Sequence, residues 1–170
     1  MRKIMLLGMA GLAAAMLWGC GQKDEPIMSS VAMSWAGPTY ETVEELEDDS
    51  DLAVIGTPVE IEGFRTTSVS SMVTIEVEEV LKGTPPEKLI LFQYGGEYQN
   101  EICMPPEEFP LLEVGKTYLL YLNDDYIHDG ETLYTVVGGY QGVAVDTDGE
   151  WTALSEANGL WPSGPAVGEG

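Results

Sequence analysis

The sequence predicts a mainly β fold, in which about six strands form a small closed or partly open β-barrel and one short helix precedes them. After Asp51, runs rich in Val, Ile, Thr and Tyr are separated at short intervals by Gly, Pro and Asp. Only the stretch near Thr42 has a helical pattern. Strands that do not alternate with helices are typical of a sandwich or a small barrel rather than an α/β sheet.

The N-terminal segment has the features of an export signal. Arg2 and Lys3 precede the apolar run Ile4–Leu17, and the letters LWGC end at Cys20. At about fourteen residues the run is shorter than the roughly twenty that a spanning helix needs, which disfavours the alternative of an uncleaved transmembrane anchor. The string resembles the bacterial lipobox, in which the peptide before the cysteine is cleaved and the cysteine thioether carries a diacylglycerol. The resemblance implies a signal peptide over residues 1–19, fatty acyl (palmitate) chains on Cys20, and an extracytoplasmic protein anchored by lipid in the bacterial cell envelope.

Residues 20–39 show neither helical nor strand periodicity, and we interpret them as a lipidated tether. The folded domain is predicted over residues 40–158. It begins with a short helix, because Thr42 and Glu45 have the spacing of a capping box and Val43 and Leu46 share one face.

The first long strand is predicted over Asp51–Gly63. Three of its apolar side chains have the same parity: Ile55, Val59 and Ile61.

The clearest strand is Met72–Gly83. Its apolar side chains Val73, Ile75 and Val77 alternate with Thr74 and Glu76, so the first set is expected in the core. The alternation slips after Glu78, which indicates a β-bulge. Three further strands are predicted over Lys88–Gly95, Lys116–Asn123 and Thr132–Gly139. A hairpin over residues 142–154, which turns at Asp148 and Gly149, completes the domain. Residues 159–170, rich in Gly and Pro, are expected to be a disordered tail.

The chain is strongly acidic, with 29 acidic and 7 basic residues. Two basic residues belong to the predicted signal, so the mature chain has a formal charge of 5 − 29 = −24. This charge excludes nucleic acid as a partner and favours a cationic partner. The predicted location in the cell envelope makes an envelope protein the other candidate partner. A solubilising surface is the simpler explanation of the same charge.

Several strand and turn motifs resemble those of exported bacterial domains of the netrin-like, or TIMP-like, OB-type barrel. They are Asp51 before the first long strand, Lys82 with Gly83 at the end of the second, Val114–Leu122, and Gln141 with Gly142. The resemblance implies an OB-like barrel and transfers no catalytic residue. Tissue inhibitors of this superfamily bind a protease zinc through a free N-terminal cysteine, which an acylated Cys20 could not supply, so protease inhibition is not expected.

The residues that form Ser-His-Asp or Cys-His catalytic groups are scarce, because the chain has one histidine and two cysteines. His128 is the only histidine and lies in a polar stretch expected to be a hairpin loop. Cys103 has no intramolecular partner if Cys20 carries lipid, and a small buried side chain is favoured over a reactive thiol or an intermolecular disulfide. We therefore expect no enzymatic activity and no cofactor.

Two acidic stretches are candidate calcium ligands. Asp146–Glu150 resembles the start of a calcium loop but lacks the later bidentate glutamate, so a two-residue hairpin is the favoured interpretation. Asn123–Asp125 with Asp129 is a second, weaker candidate. No metal site is predicted.

The connection Gly95–Gly115 is unusually long, at about twenty residues where four to six are typical. Its side chains Tyr98, Met104 and Phe109 are predicted to form part of a partner-binding surface. The alternative is a structural flap that covers one end of the barrel. The leading hypothesis is a non-catalytic binding or interaction domain, and the alternative is an envelope enzyme with an acidic, metal-dependent site.

Overall fold

The computed structural model describes residues 25–31 and 36–163, so the predicted signal peptide and Cys20 lie outside the described part of the chain. Strands account for 53% of the described residues and helix for 4%, which confirms the prediction of a mainly β fold. Within these ranges no helix combines the length and apolar character needed to cross a membrane.

The described elements follow one another along the chain as a strand, a helix and nine further strands. Their bounds are β1 Ile27–Ser30, α1 Val43–Asp48, β2 Leu52–Arg65, β3 Val69–Lys82, β4 Leu89–Tyr94, β5 Gly96–Tyr98, β6 Glu101–Met104, β7 Tyr118–His128, β8 Glu131–Val136, β9 Val143–Thr147 and β10 Glu150–Ala153.

Five strands form a closed ring in the order β2, β3, β4, β8, β7. The pairs β2–β3, β3–β4, β7–β8 and β2–β7 are antiparallel, whereas β4 and β8 are parallel and are joined by the single pair Leu91 and Tyr134. The hairpin of β9 and β10 extends the sheet beside the first half of β7. Asp148 and Gly149 have positive φ angles of 56° and 88° at its turn, so the predicted hairpin is confirmed.

The alternation predicted for β3 is confirmed. Val73 and Ile75 are 0% and 4% exposed in the main core cluster, and Val77 packs against that cluster. The other buried members of the main core cluster are Leu52, Val54, Leu89, Leu91, Leu112, Tyr118, Leu120, Leu122 and Val143. Glu76 on the opposite face is exposed. Gly56 on β2 leaves room for Ile75, because a Cβ at this glycine would lie 2.7 Å from the Ile75 Cγ2 atom.

The predicted bulge in β3 is also present. Val77 and Glu79 pair with consecutive residues of β2, and Glu78 between them is skipped.

A second bulge at Val59 of β2 was not predicted, and it changes which side chains share a face. Because Val59 is skipped in the pairing, Ile55 and Ile61 lie on opposite faces despite their common parity. Ile61 is 37% exposed and Val59 is 46% exposed. The parity of these residues therefore does not identify a buried face.

Helix α1 packs outside the ring through Leu46, which is fully buried. Leu46 belongs to the second core cluster, whose other buried members are Ala53, Leu119, Tyr121, Val137 and Ala144. Its N-cap Thr42 accepts a hydrogen bond from the Glu45 amide, and the Glu45 carboxylate accepts one from the Glu41 amide. At the other end Lys82 donates to the carbonyl oxygens of Glu47 and Asp48. A cation at a helix C-terminus is stabilising and partly offsets the acidic residues there.

A small three-stranded sheet, in the order β1, β6, β5, packs against one end of the ring. Its strand β1 lies within the stretch predicted to be a tether, and β5 and β6 lie within the stretch predicted to be a long loop. These strands have three or four residues each, too few for a periodic pattern, and β1 pairs with β6 more than seventy residues along the chain. Gly63 allows the close approach, since a Cβ there would lie 1.8 Å from the Glu97 carbonyl oxygen.

The packed domain extends beyond the predicted boundary at residue 158. Leu160 and Trp161 pack against the second core cluster, and the Trp161 indole donates to the Gln141 carbonyl oxygen at 3.1 Å. Ser163 forms a bridge with Ala153 of β10. This segment was predicted to be a tail because it is rich in Gly and Pro, a composition that gives no sign that Trp161 packs against the core.

Candidate functional site

An apolar pocket of about 340 Å³ lies where the ring is closed by the single β4–β8 pair. Residues that follow the paired Leu91 and Tyr134 along each strand line it, and the segment after β6 and the turn after β8 complete its walls. The lining residues are Leu91, Phe92, Gln93, Tyr94, Phe109, Pro110, Leu112, Asp125, Tyr126, Thr135, Val136, Gly139, Tyr140, Val143 and Leu154.

The base of the pocket belongs to the main core. Leu91, Leu112 and Val143 are 1%, 4% and 5% exposed and are members of the main cluster. Val136 and Leu154 pack against that cluster. The base is therefore held by the same contacts that stabilise the fold, and a ligand would meet a largely preformed apolar surface.

Aromatic side chains form two groups on the pocket walls. Phe92 contacts Tyr94 edge to face, with ring centroids 4.7 Å apart, and lies 4.5 Å from the Tyr126 ring. Phe109 meets Tyr140 edge to face at 5.4 Å. Such contacts fix ring orientations and leave aromatic faces and edges available to a ligand.

Polar groups in the lining are few, and several are held by neighbours. The Gln93 side-chain oxygen accepts a hydrogen bond from the Leu112 amide at 3.0 Å, which attaches the covering segment to β4. Asp125 is the only charged residue among the described residues that line the pocket. It is exposed and accepts a hydrogen bond from the Thr135 hydroxyl at 2.5 Å. None of the lysines and arginines in residues 25–31 and 36–163 forms an ion pair with Asp125.

The structure does not bring the three predicted binding residues together. Phe109 lines the pocket. Tyr98 pairs with Glu101 in the small sheet, and strand alternation then places Met104 on the opposite face of that sheet. Met104 is 50% exposed and Tyr98 is half-buried, and neither lines the pocket.

Cys103 and His128 occupy different parts of the fold. Cys103 is 2% exposed, on β6 opposite Gly96. His128 ends β7, where its ring lies 4.3 Å from that of Phe64, next to the turn that leads into β8. No hydrogen bond joins the cysteine to the histidine in the described ranges, so their placement gives no nucleophile and base.

The acidic stretches considered as calcium ligands have structural partners. The Asp146 carboxylate accepts from the Gly149 amide at 2.7 Å and closes the β9–β10 turn. The Asn123 side chain accepts from the Asp51 amide at 2.9 Å. Among the described residues, no group of three or more His, Cys, Asp or Glu side chains is arranged to hold a metal ion.

Gln141, one of the motif residues, joins distant parts of the chain. Its side-chain oxygen accepts from the Tyr40 amide and its nitrogen donates to the Tyr40 carbonyl oxygen, both at 2.9 Å. The side-chain nitrogen of Asn158 donates to the carbonyl oxygens of Tyr140 and Val143 at 2.7 and 3.3 Å. These bonds connect the start and the end of the domain and fix the turn that presents Tyr140 to the pocket.

Comparisons of the chain with protein-family models, with curated proteins and with solved structures found no match.

Most of the pocket was not anticipated from the sequence. Phe92, Tyr94, Tyr126 and Tyr140 were not predicted as site residues, and Asp125 was considered only as a weak calcium ligand. A usable signal was present in LFQY at the end of β4, where two aromatic residues follow buried leucine. The convergence of these residues depends on the parallel closure of the ring, which no local pattern reveals.

Proposed function

We propose that this chain is an exported lipoprotein, held at the outer face of a bacterial membrane through Cys20, and that its β domain is a non-catalytic binding module. The observation that carries the proposal is the apolar pocket of about 340 Å³, in which Asp125 is the one charged side chain contributed by the described part of the chain. Ligand pockets range from about 300 to 1,000 Å³ and combine apolar walls with a few orienting polar groups. The ligand that fits this chemistry is small, with an apolar or aromatic body and a cationic group.

The charge of the chain supports a cationic ligand over an anionic one with the same body. Asp125 has no ion-pair partner among the described residues, and the predicted mature chain has a formal charge of −24. An exposed ion pair contributes only about 0.2 to 1 kcal/mol, so Asp125 would orient the ligand more than retain it. Apolar burial would supply most of the affinity, and the neighbouring aromatic faces would add cation–π attraction.

We further infer that the ring is an OB-like barrel. Strands β2, β3 and β4 are successive neighbours, and β7 returns to pair with β2, which is the Greek-key order. A five-stranded, partly open Greek-key barrel is the description of the OB-fold, and the single β4–β8 pair supplies the partial opening. A relationship to the netrin-like domains that the sequence motifs resemble stays a prediction.

Replacing Cys20 with Ser tests the anchor. We expect the full-length variant to move from the membrane fraction to the soluble extracytoplasmic fraction, because the thioether that carries the lipid cannot form. A variant that remains with the membrane as fully as the parent protein would show that lipid on Cys20 is not the anchor.

Binding of matched probes tests the pocket. The probes are naphthalene derivatives that carry an ammonium, a neutral hydroxyl or a sulfonate group on the same ring. We expect the ammonium probe to bind best. Asp125→Asn should weaken its binding up to about fivefold, the equivalent of about 1 kcal/mol, with little effect on the neutral probe.

Asp124→Asn is the matched control, because Asp124 is exposed, adjacent in sequence and absent from the pocket lining. Phe109→Ala should weaken both the ammonium and the neutral probe up to about tenfold, since an aromatic contact contributes about 0.5 to 1.5 kcal/mol. If Asp124→Asn and Asp125→Asn weakened binding of the ammonium probe equally, only the overall charge of the protein would attract the probe. Binding that is unaffected by Phe109→Ala would place the probes outside the pocket.

A further inference from the structure

The position of β1 limits how far the domain can lie from a lipid on Cys20. Seven Cα–Cα steps separate Cys20 from Ile27, where β1 begins, and a fully extended chain covers at most about 25 Å in that number of steps. The predicted tether over residues 20–39 would instead reach about 65 Å. Because β1 is paired along its whole length with β6, the available connection is much shorter than the sequence suggested.

This short connection restricts the orientation of the domain. About 135 described residues correspond to a radius of gyration of roughly 14 Å, or a diameter of roughly 37 Å. A connection of about 25 Å is shorter than that diameter, so the domain cannot turn its far side towards the bilayer. The end of the domain that carries the small sheet therefore lies nearest the membrane.

The small sheet exposes apolar side chains at this end. Met28 and Ile27 on β1 are 63% and 64% exposed, and Met104 on β6 is 50% exposed. Met28 pairs with Ile102, and strand alternation places Met28, Ile102 and Met104 on the same face, away from Glu101. The exposed Glu97 of the edge strand β5 pairs with Ile102 and lies on this face too, at the border of the apolar side chains. Glu101 is neutralised on the other face, where it pairs with Arg65. We define the membrane-facing patch as Met28, Ile102 and Met104.

We propose that the membrane-facing patch rests on the phospholipid bilayer and holds the lipidated domain in one orientation. The proposal depends on the lipid anchor proposed above. It adds that the protein surface itself contacts lipid. Three side chains cannot retain a protein on a membrane alone, but the acyl chains keep the patch beside the bilayer, where each contact is in effect intramolecular. Methionine suits such a surface because it is flexible and apolar.

The test places a polarity-sensitive NBD dye on the full-length lipidated protein in phosphatidylcholine vesicles. Single cysteines are introduced by Met28→Cys, Met104→Cys and, as the control, Leu81→Cys. Leu81 is 46% exposed, close to the value for Met104, and lies ten residues along β3 from Ser71, where β5 packs. That separation is roughly 33 Å along the strand. Cys103 is 2% exposed, and labelling of the parent protein checks that it does not react.

We expect all variants to float with the vesicles, and nitroxide-labelled lipids to quench the dye at positions 28 and 104 at least threefold more than at position 81. Flotation with equal quenching at the three positions would overturn the orientation and leave the anchor intact. Loss of flotation in every variant would overturn the anchor and the orientation together. A blue-shifted dye at position 28 in the non-lipidated Cys20→Ser protein in solution would place a second copy of the chain on the patch and overturn the bilayer contact.

Discussion

Replacement of Gln141 with Ala should lower the free energy of unfolding by about 1 to 3 kcal/mol. The Gln141 side chain is 6% exposed and forms two hydrogen bonds of 2.9 Å with the backbone of Tyr40. Each such bond contributes about 0.5 to 1.5 kcal/mol net. A third contact, to the Asn158 carbonyl oxygen at 3.5 Å, is at the distance limit and adds little.

The measurement is equilibrium urea unfolding of the domain without its signal and lipid, followed by tryptophan fluorescence and circular dichroism. An Asn100→Ala variant is the control, because the Asn100 side chain is exposed and forms one long bond of 3.3 Å to Glu25. If Gln141→Ala changed the free energy of unfolding by less than about 0.5 kcal/mol, the two bonds to Tyr40 would not stabilise the fold and the reasoning would be refuted.

A Gln141→Glu variant separates the two bonds by pH. The new carboxylate can still accept from the Tyr40 amide, but when ionised it faces the Tyr40 carbonyl oxygen without a proton to donate. The folded state therefore favours the protonated form, and the pKa of the introduced carboxyl should rise above its unfolded value. The protonated carboxyl can donate to the Tyr40 carbonyl oxygen, so its contribution to the free energy of unfolding should be present below the carboxyl's pKa in the unfolded state. That contribution should be lost as pH increases through its pKa in the folded state. A stability difference from the parent protein that is independent of pH between about 4 and 7 would contradict this assignment.

Three further changes test the core, the small sheet and the alkaline limit. Ile75→Ala removes three buried carbon atoms and should cost about 2 to 5 kcal/mol, whereas Glu76→Ala on the exposed face should stay within about 0.5 kcal/mol; equal losses in urea would refute the register of β3. Gly63→Ala places a Cβ 1.8 Å from a carbonyl oxygen of β5, and it should cost about 1 to 3 kcal/mol and speed amide exchange in β5 and β6 before the ring; unchanged exchange there would contradict the packing. Burial and the hydrogen bond to Asp49 raise the pKa of Tyr40 to about 12. The contribution of this phenol to the free energy of unfolding is therefore complete below pH 10 and is lost as pH rises towards 12. Tyr40→Phe should reduce the fall in stability over that interval, measured by urea unfolding at each pH.

The elements that were predicted well are those whose pattern is local. The alternation of β3, its bulge at Glu78 and the turn at Asp148 and Gly149 all depend on neighbouring residues, and each is present. Strand β1 was not predicted, because its pairing with β6 is long-range and the strand itself is too short to show a periodic pattern in the sequence. The packing of Trp161 was missed because the surrounding composition is that of a flexible segment.

The candidate site was less predictable than the fold. Phe109 was named because it lies in a long connection, and it does line the pocket. Tyr98 and Met104 were predicted as binding residues for the same reason, but two short strands within that connection place them on opposite faces of the small sheet. Asp125 and the aromatic residues of β4 meet only because two strands distant in sequence close the ring in parallel.

The single pair between Leu91 and Tyr134 also has a dynamic consequence. Twelve backbone pairs hold β2 against β3, whereas one backbone pair holds β4 against β8, together with the packing of Leu133 against Ile90 and Phe92. The lowest-energy fluctuation of the ring is therefore expected beside the pocket. Amides at the end of β4 and in β8 should exchange through local opening, faster than those of β2 and β3, and a bound ligand should slow them selectively. Local opening at the single β4–β8 pair would thus let a ligand enter the pocket without a separate lid.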